Sequence, residues 1–213
     1  MHIVLYGATG HSGSRILTEL LNRGHQVTAI TRDPAKIAPQ PNLSIKQGDV
    51  DSAAAIAANI KGADAVVSAY APPADNTDQI IPVTQNFIEA VKQVGTSGKA
   101  PRFLYVGGAS SLEVAPGVTL LDSGHLPSEW QAIAKSHSDA LAHIKKSDIN
   151  WTSFSPAAFF EPGQRTGKFR LGKDQLISDA QGTSKISMED YAIALVDELE
   201  KPQHERQRFT IGY

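Results

Sequence analysis

The sequence has 213 residues, of which 41% are hydrophobic, and a formal net charge of -2, as expected for one globular domain. Lysine and arginine are dispersed and no apolar run approaches membrane-spanning length, so composition favours neither a nucleic-acid nor a membrane partner. The absence of cysteine excludes disulfides, thiol catalysis and thiolate metal sites. We recognise no signal-peptide pattern at the N-terminus and expect a cytoplasmic location.

The first predicted unit is a strand, a glycine-rich turn and a helix. The apolar run His2–Tyr6 is typical of a buried parallel strand, and apolar residues at helical spacing follow the turn. Glycines in such a turn let a pyrophosphate approach the helix N-terminus, where free N–H groups and the helix dipole favour negative charge. We therefore expect that larger residues at Gly10 and Gly13 would block the pyrophosphate. The unit predicts dinucleotide contacts from Gly7, Thr9, Gly10, His11, Ser12 and Gly13. The alternative to a dinucleotide site is a tight connection that binds no ligand.

The second predicted strand, His25 to Ile30, ends close to two charged residues that distinguish the dinucleotides. In this position an arginine accommodates the 2′-phosphate of NADP, whereas an acidic residue binds the ribose hydroxyl of NAD. Asp33 precedes Pro34, a pair typical of a helix N-cap and first helical residue. Arg32 therefore predicts a preference for NADP(H) over NAD(H), the alternative being a solvated surface arginine.

Two further strands end in candidate cofactor contacts. After the strand Leu43–Gln47, Asp51 is predicted to cap an alanine-rich helix, which leaves Asp49 free to face the adenine. A plain turn role for Asp49 is equally open. The next strand runs from Ala63 to Ala69. The candidates from these strand ends are Asp49, Val50, Ala69 and Tyr70.

A helix is predicted from Thr77 to Val94, and a fifth strand, Arg102 to Val106, leads into a glycine pair that includes the cofactor candidate Gly108. Strands that alternate with helices and end in small or polar residues predict an α/β fold. The architecture is a doubly wound parallel sheet, the Rossmann fold, in a single domain with its site along the carboxyl edge.

The glycine spacing G-x-x-G-x-x-G, together with VTQNFIEAVKQVG (Val83 to Gly95) and RFLYVGGAS (Arg102 to Ser110), resembles extended and atypical short-chain dehydrogenases/reductases. The whole chain, including NWTSFSPAAFF and ISMEDYA, is similar to the atypical group of NAD(P)H-binding, NmrA-like and flavin or biliverdin reductase-like proteins. The resemblance places Ser110 on the catalytic serine and Pro156 beside the nicotinamide. This group contains both enzymes and proteins that only bind the cofactor.

The sequence departs from the superfamily in the helix predicted from Pro127 to Lys146. Its apolar stripe, which includes Trp130, is expected to pack on the sheet. Gln131 and Lys135 share another face at i, i+4, the geometry in which the superfamily holds its Tyr-x-x-x-Lys pair. Glutamine cannot transfer a proton as a phenol can, so the general acid that the superfamily uses for carbonyl reduction is missing here. Lys135 either reaches the nicotinamide ribose or is a solvated helix lysine.

The C-terminal half is predicted to supply the substrate side, in segments about 112–130 and 155–187. After a sixth strand, Asn150 to Phe154, Phe159 and Phe160 either stack on a planar substrate or belong to the core. Ser187 is expected to cap a helix, Met188 to Glu200, and a closing strand runs from Arg208 to Ile211. Three histidines could approach the site: His11, His125 and His137. Of these, His125 is a candidate substrate contact. Their spacing predicts no metal site.

We therefore expect an NADPH-dependent oxidoreductase that passes hydride to a planar conjugated acceptor, such as a flavin or a quinone, which can take its proton from water. The alternative is a non-catalytic, NADP(H)-sensing regulator of the NmrA-like kind. A third alternative, a sugar-nucleotide epimerase or dehydratase, is less favoured because the C-terminal portion is short and the tyrosine is missing. The sequence leaves open whether the protein is a monomer or a homodimer.

Overall fold

An eight-stranded sheet forms the centre of the protein, in a computed structural model that describes residues 1–213. From one edge to the other its order is β3-β2-β1-β4-β5-β8-β12-β10. Every neighbouring pair is parallel except β10 with β12. Twelve strands are present in all: β1 (His2–Tyr6), β2 (Gln26–Thr31), β3 (Leu43–Gln47), β4 (Ala65–Ser68), β5 (Arg102–Val106), β6 (Glu113–Ala115), β7 (Val118–Thr119), β8 (Trp151–Ser155), β9 (Phe159–Glu161), β10 (Arg170–Gly172), β11 (Lys185–Ser187) and β12 (Gln207–Gly212).

Helices cover both faces of this sheet, which confirms the predicted α/β doubly wound fold in a single domain. The core on one face contains residues of α1 and α5, and the core on the other contains residues of α2, α3 and α4. Strands buried on both faces explain the near-continuous apolar runs of β1, β4 and β5. The helices are α1 (His11–Asn22), α2 (Ala53–Ile60), α3 (Ile80–Ser97), α4 (Ser128–Lys146) and α5 (Met188–Glu200).

Strand order reverses between β1 and β4, and this reversal positions the site. The chain steps outward from β1 through β2 to β3, then returns to place β4 on the other side of β1. In sheets of this kind the crevice at the carboxyl ends of the two strands is where ligands bind. The turn after β1 and the end of β4 therefore face each other across the expected cofactor crevice.

Local sequence explains several helix starts. Ser187 caps α5 as predicted, its Oγ accepting the N–H of Asp190 at 3.0 Å. The predicted cap of α2 is wrong by one residue, because the helix begins at Ala53 and Ser52, rather than Asp51, accepts the amide of Ala55. Both residue types cap helices well, so sequence alone did not separate them.

The predicted packing of Trp130 is also wrong. This side chain is 58% exposed in the first turn of α4, whereas the buried face of that helix includes Ala140, Leu141 and Ile144. Two small pairs were not predicted: the antiparallel β6–β7 hairpin, and the parallel pair β9–β11. They lie within the two predicted substrate-side segments. None of the helices is long and apolar enough to span a membrane.

Candidate functional site

The turn after β1 is held in close contact with the end of β4. Gly7 has φ +82°, a conformation that favours glycine, and a Cβ there would lie 2.2 Å from the carbonyl oxygen of Ala69. The amide of Gly10 donates to the carbonyl of Gly7 at 2.9 Å. The turn is therefore tight before any ligand is considered, and Ala69 contributes to it through its backbone.

The first turn of α1 begins without a side-chain cap. Gly10 is the N-cap, and the first intrahelical bond runs from the amide of Ser14 to its carbonyl at 3.0 Å. The amides of His11, Ser12 and Gly13 have no intrahelical partner, as at any helix N-terminus. Together with the helix dipole they form a seat for an anion such as a pyrophosphate. Gly10 and His11 are exposed beside this seat, as is Thr9.

Gly13 has a structural reason to be small besides the predicted approach of the pyrophosphate. A Cβ at this position would lie 2.0 Å from the carbonyl oxygen of Gly7. The backbone of α1 thus packs directly on the turn, and there is no room for a side chain even without a ligand. Of the two glycines expected to face the pyrophosphate, Gly10 is the exposed one.

At the end of β2, Asp33 and Arg32 have separate roles. The Asp33 carboxylate accepts the amide of Ala35 at 3.2 Å and caps the short 3-10 turn Pro34–Lys36, as predicted. The Arg32 side chain is exposed and bonds to no protein group. Burial raises the pKa of Tyr70, while the positive charge of Arg32 acts to lower it. The charge of Arg32 therefore acts on Tyr70 through space, without a bond between the two side chains.

Asp49 is a turn residue, as one of its two alternatives predicted. Its carboxylate accepts the amide of Asp51 at 3.1 Å. The Val50 carbonyl accepts the side-chain amide of Asn86 at 3.0 Å, which fixes the same loop to α3. Burial, together with the charge of Asp49, raises the pKa of Tyr6 to about 12. Contact between Asp49 or Val50 and an adenine stays a prediction.

The three predicted catalytic side chains each bond to a different partner. Ser110 is 5% exposed, and its hydroxyl donates to the α4 carbonyl of Ala134 at 2.7 Å. Lys135 is exposed and forms an ion pair with Asp139, which raises the pKa of Lys135. Gln131 is exposed, and its amide donates to the carbonyl of Leu126 at 3.4 Å. Lys135 is thus a solvated helix lysine in this structure, and its contact with the nicotinamide ribose stays a prediction.

Of the candidate histidines, His137 packs against the end of β5. Its Nδ1 lies 2.9 Å from the hydroxyl of Tyr105. A Cβ on Gly108 would lie 3.2 Å from the His137 ring, so the imidazole packs where a side chain would otherwise stand. Burial lowers the pKa of His137 to about 4, so the ring is neutral at neutral pH. His125 is exposed.

In the segment after β8, the two predicted aromatic contacts, Phe159 and Phe160, have different environments. Pro156 is buried, Phe159 is 56% exposed, and Phe160 packs on Tyr191 with ring centroids 4.7 Å apart. Phe160 therefore belongs to the core, while Phe159 is free to meet a ligand. Stacking of Phe159 on a substrate stays a prediction.

Sequence reasoning missed the anchoring of the loop before β10. Asp190 is fully buried, and its carboxylate accepts the amides of Thr166 and Gly167 and the hydroxyl of Tyr213. Arg165 of the same loop binds Glu19 of α1 through two bonds of 2.9 and 3.0 Å. The acidic residue at a helix start was visible in the sequence, but its partners were not.

Comparison with known proteins gives full-length matches. The profile of a family described as NAD(P)H-binding matches residues 7–202. YwnB of Bacillus subtilis, an uncharacterized protein, is 40% identical over 99% of this chain and 98% of its own.

Two solved structures extend the likeness to the whole fold. A protein of Bacteroides thetaiotaomicron, named provisionally an epimerase, is 47% identical, with a TM-score of 0.91 over 100% of this chain and 96% of that one. A protein of Streptococcus pneumoniae, named provisionally an NADH-flavin reductase, is 33% identical, with a TM-score of 0.89 over 100% and 99%.

Proposed function

This chain belongs to the NAD(P)H-binding family, and we propose that it is an NADPH-dependent oxidoreductase that passes hydride to a planar conjugated acceptor of the flavin or quinone type. The family membership agrees with the resemblance predicted from the sequence. Family membership supports binding of NAD(P)H. The preference for NADPH and the identity of the acceptor are our proposal.

The residues of the β1–β4 crevice fit the dinucleotide. The uncapped first turn of α1 offers three amides to the pyrophosphate, and the tight Gly7 turn gives it access to them. Arg32 is the residue for the 2′-phosphate, because its guanidinium is unpaired while Asp33 is occupied as a cap. When bound, the reduced cofactor supplies a hydride. The chain's task is to hold it beside the acceptor and to exclude water.

The observation that carries the acceptor proposal is that none of the predicted catalytic groups is positioned as a general acid. Ser110 has committed its hydrogen to Ala134, the ammonium of Lys135 is paired with Asp139, and Gln131 does not ionise. Reduction of a simple aldehyde or ketone needs a general acid at the carbonyl oxygen. A flavin or quinone accepts hydride and then takes one proton from water, so it needs no acid from the protein.

The names of the relatives point in two directions. The name of the S. pneumoniae protein suggests flavin reduction for that protein, in line with our proposal. The name of the B. thetaiotaomicron protein suggests epimerisation for that one. Epimerisation requires a side chain that removes and returns a proton, and the same committed groups argue against it here.

The proposal is tested by the loss of NADPH absorbance in the presence of FMN, FAD, menadione and benzaldehyde in turn. We expect steady oxidation with at least one flavin or quinone and negligible oxidation with the aldehyde. Gln131→Ala should retain most of the activity, because this exposed side chain offers no proton. Tight NADPH binding without oxidation by any acceptor would refute the proposal and favour the cofactor-sensing regulator.

A further inference from the structure

Two adjacent serines after β5 have opposite hydrogen-bonding states. The Ser110 hydroxyl donates its only hydrogen to the carbonyl of Ala134. The Ser111 oxygen accepts a hydrogen bond from Nη1 of Arg208 at 3.0 Å, and its own hydrogen has no acceptor in the protein. Ser111 is half-buried, so part of it is within reach of a ligand. The free hydrogen therefore belongs to Ser111, one residue beyond the serine that the resemblance indicated.

Arg208 is held rigidly beneath this serine. Its side chain is only 4% exposed, and its Nε and Nη2 atoms both donate to the Asp174 carboxylate, the first at 2.9 Å. The planar guanidinium is always charged and presents its donors in a fixed geometry. The backbones on either side are also joined, because the Glu113 amide donates to the Asp174 carbonyl at 2.8 Å. Ser111 is thus fixed from two directions.

A hydroxyl that accepts a bond from a buried cation becomes a stronger donor through its own hydrogen, since hydrogen bonds in a chain polarise one another. We propose that Ser111, aligned by Arg208, donates a hydrogen bond to a ring carbonyl oxygen of the acceptor. Negative charge develops on that oxygen as the hydride arrives, and a preoriented donor stabilises it. Ser111 keeps its proton, and water supplies the proton that completes the reduced acceptor.

This inference rests on the proposed function and narrows its substrate class. Isoalloxazines and quinones carry a carbonyl conjugated to the position that accepts hydride. Methylene blue is planar and reducible but has no carbonyl. A role in hydrogen bonding therefore separates the two kinds of acceptor, whereas a merely structural role for Ser111 would affect both alike.

The test compares Ser111→Ala and Arg208→Lys with two control variants. Ser97→Ala removes a hydroxyl that donates only to the Val94 carbonyl at the end of α3, outside the predicted substrate-side segments. Arg102→Lys alters a second buried arginine, which is paired with Glu198 at the start of β5. Each protein is saturated with NADP⁺ and titrated with FMN and with menadione, and kcat and KM are then measured with NADPH and menadione, FMN or methylene blue. Thermal unfolding checks that each variant is folded.

For Ser111→Ala we expect a roughly tenfold loss of kcat/KM with menadione or FMN, matching the loss of one hydrogen bond to a charged group, with weaker equilibrium binding of both. Methylene blue reduction should be unchanged. Arg208→Lys should show the same selectivity for carbonyl acceptors with a smaller loss, and both controls should match the wild type. The inference would be overturned if Ser111→Ala reduced menadione and FMN with unchanged kcat/KM, or if its kcat/KM with methylene blue fell equally. A wild type that neither binds nor reduces any acceptor would overturn the proposed function and this inference together.

Discussion

Gly13 of α1 packs so tightly on the carbonyl of Gly7 that a Cβ at position 13 would lie 2.0 Å from that oxygen. The phosphate-binding helix is thereby seated on the turn that precedes it, and the uncapped amides of its first turn are fixed at the mouth of the crevice. The glycines of this motif therefore act differently. Gly7 and Gly13 build the turn, while Gly10 leaves space beside it.

Replacement of Gly10 and of Gly13 should separate binding from folding. Gly10→Val places an exposed side chain beside the anion seat and should abolish NADPH binding while the protein stays folded, because φ at Gly10 is -78° and its Cβ would meet only the Gly7 carbonyl oxygen, at 3.2 Å. Gly13→Ala forces a clash with backbone and should cost about 1–3 kcal/mol of the free energy of unfolding, or roughly 2–12 °C in Tm. Calorimetric titration and thermal unfolding measure the two effects. Retained NADPH affinity in Gly10→Val would exclude this turn as the binding site.

Arg32 should determine the cofactor preference. A charge-assisted contact with the 2′-phosphate is worth about 1.5–3 kcal/mol, so Arg32→Ala should weaken NADPH binding at least about tenfold and leave NADH binding unchanged. Lys36→Ala is the control, since it removes an exposed positive charge in the turn that follows. Equal affinities of the wild type for the two cofactors would show that Arg32 does not reach the 2′-phosphate.

The parts of this fold that could be predicted are those set by local sequence. The bounds of β1, β3, β5 and α5 follow from apolar runs, turn residues and the Ser187 cap, which act within a few residues of one another. Asp33 was assigned correctly as a cap because the following proline is a local signal. The glycine turn between β1 and α1 follows from the same kind of evidence.

The rest depends on contacts between distant parts of the chain. Arg208 meets Ser111 across 97 positions only because β12 enters the sheet beside β8, a register that no short pattern reveals. Trp130 lies in an apolar stripe by spacing, yet it is exposed because it stands in the first turn of α4, away from the buried part of the helix. Ser110 and Ser111 are equivalent in sequence and differ only in their partners.

His137 should make stability depend on pH between its two pKa values. The folded pKa, about 4 because of burial, is below the usual value of about 6.5, so the unfolded chain binds the proton first. Stability is then full above about pH 6.5 and falls as the pH drops toward 4, by at most about 3 kcal/mol. His137→Gln should flatten this part of the profile. Denaturant unfolding of both proteins from pH 4 to 7 gives the difference, and parallel profiles would contradict a buried neutral histidine.

Asp190 should control the order of the loop before β10. Asp190→Asn replaces one acceptor oxygen by a donor that faces the Thr166 hydroxyl or the loop amides. A lost hydrogen bond to a charged group costs about 1.5–3 kcal/mol, and the loosened loop should be cut faster by trypsin after Arg165 and Lys168. Asp197→Asn, an exposed change on the same helix, is the control. Equal cleavage rates in the two variants would show that Asp190 does not anchor the loop.

We propose that hydride passes to a planar acceptor from NADPH that is held in the crevice between β1 and β4. The most direct measurement is the rate of acceptor reduction with NADPH deuterated at one or the other of its two C4 positions, in the wild type and in Gly10→Val. A site that holds the cofactor in one orientation should give a slower rate with deuterium at one position only, and Gly10→Val should show no reduction. Equal rates with the two deuterated cofactors, or reduction that survives in Gly10→Val, would contradict the claim.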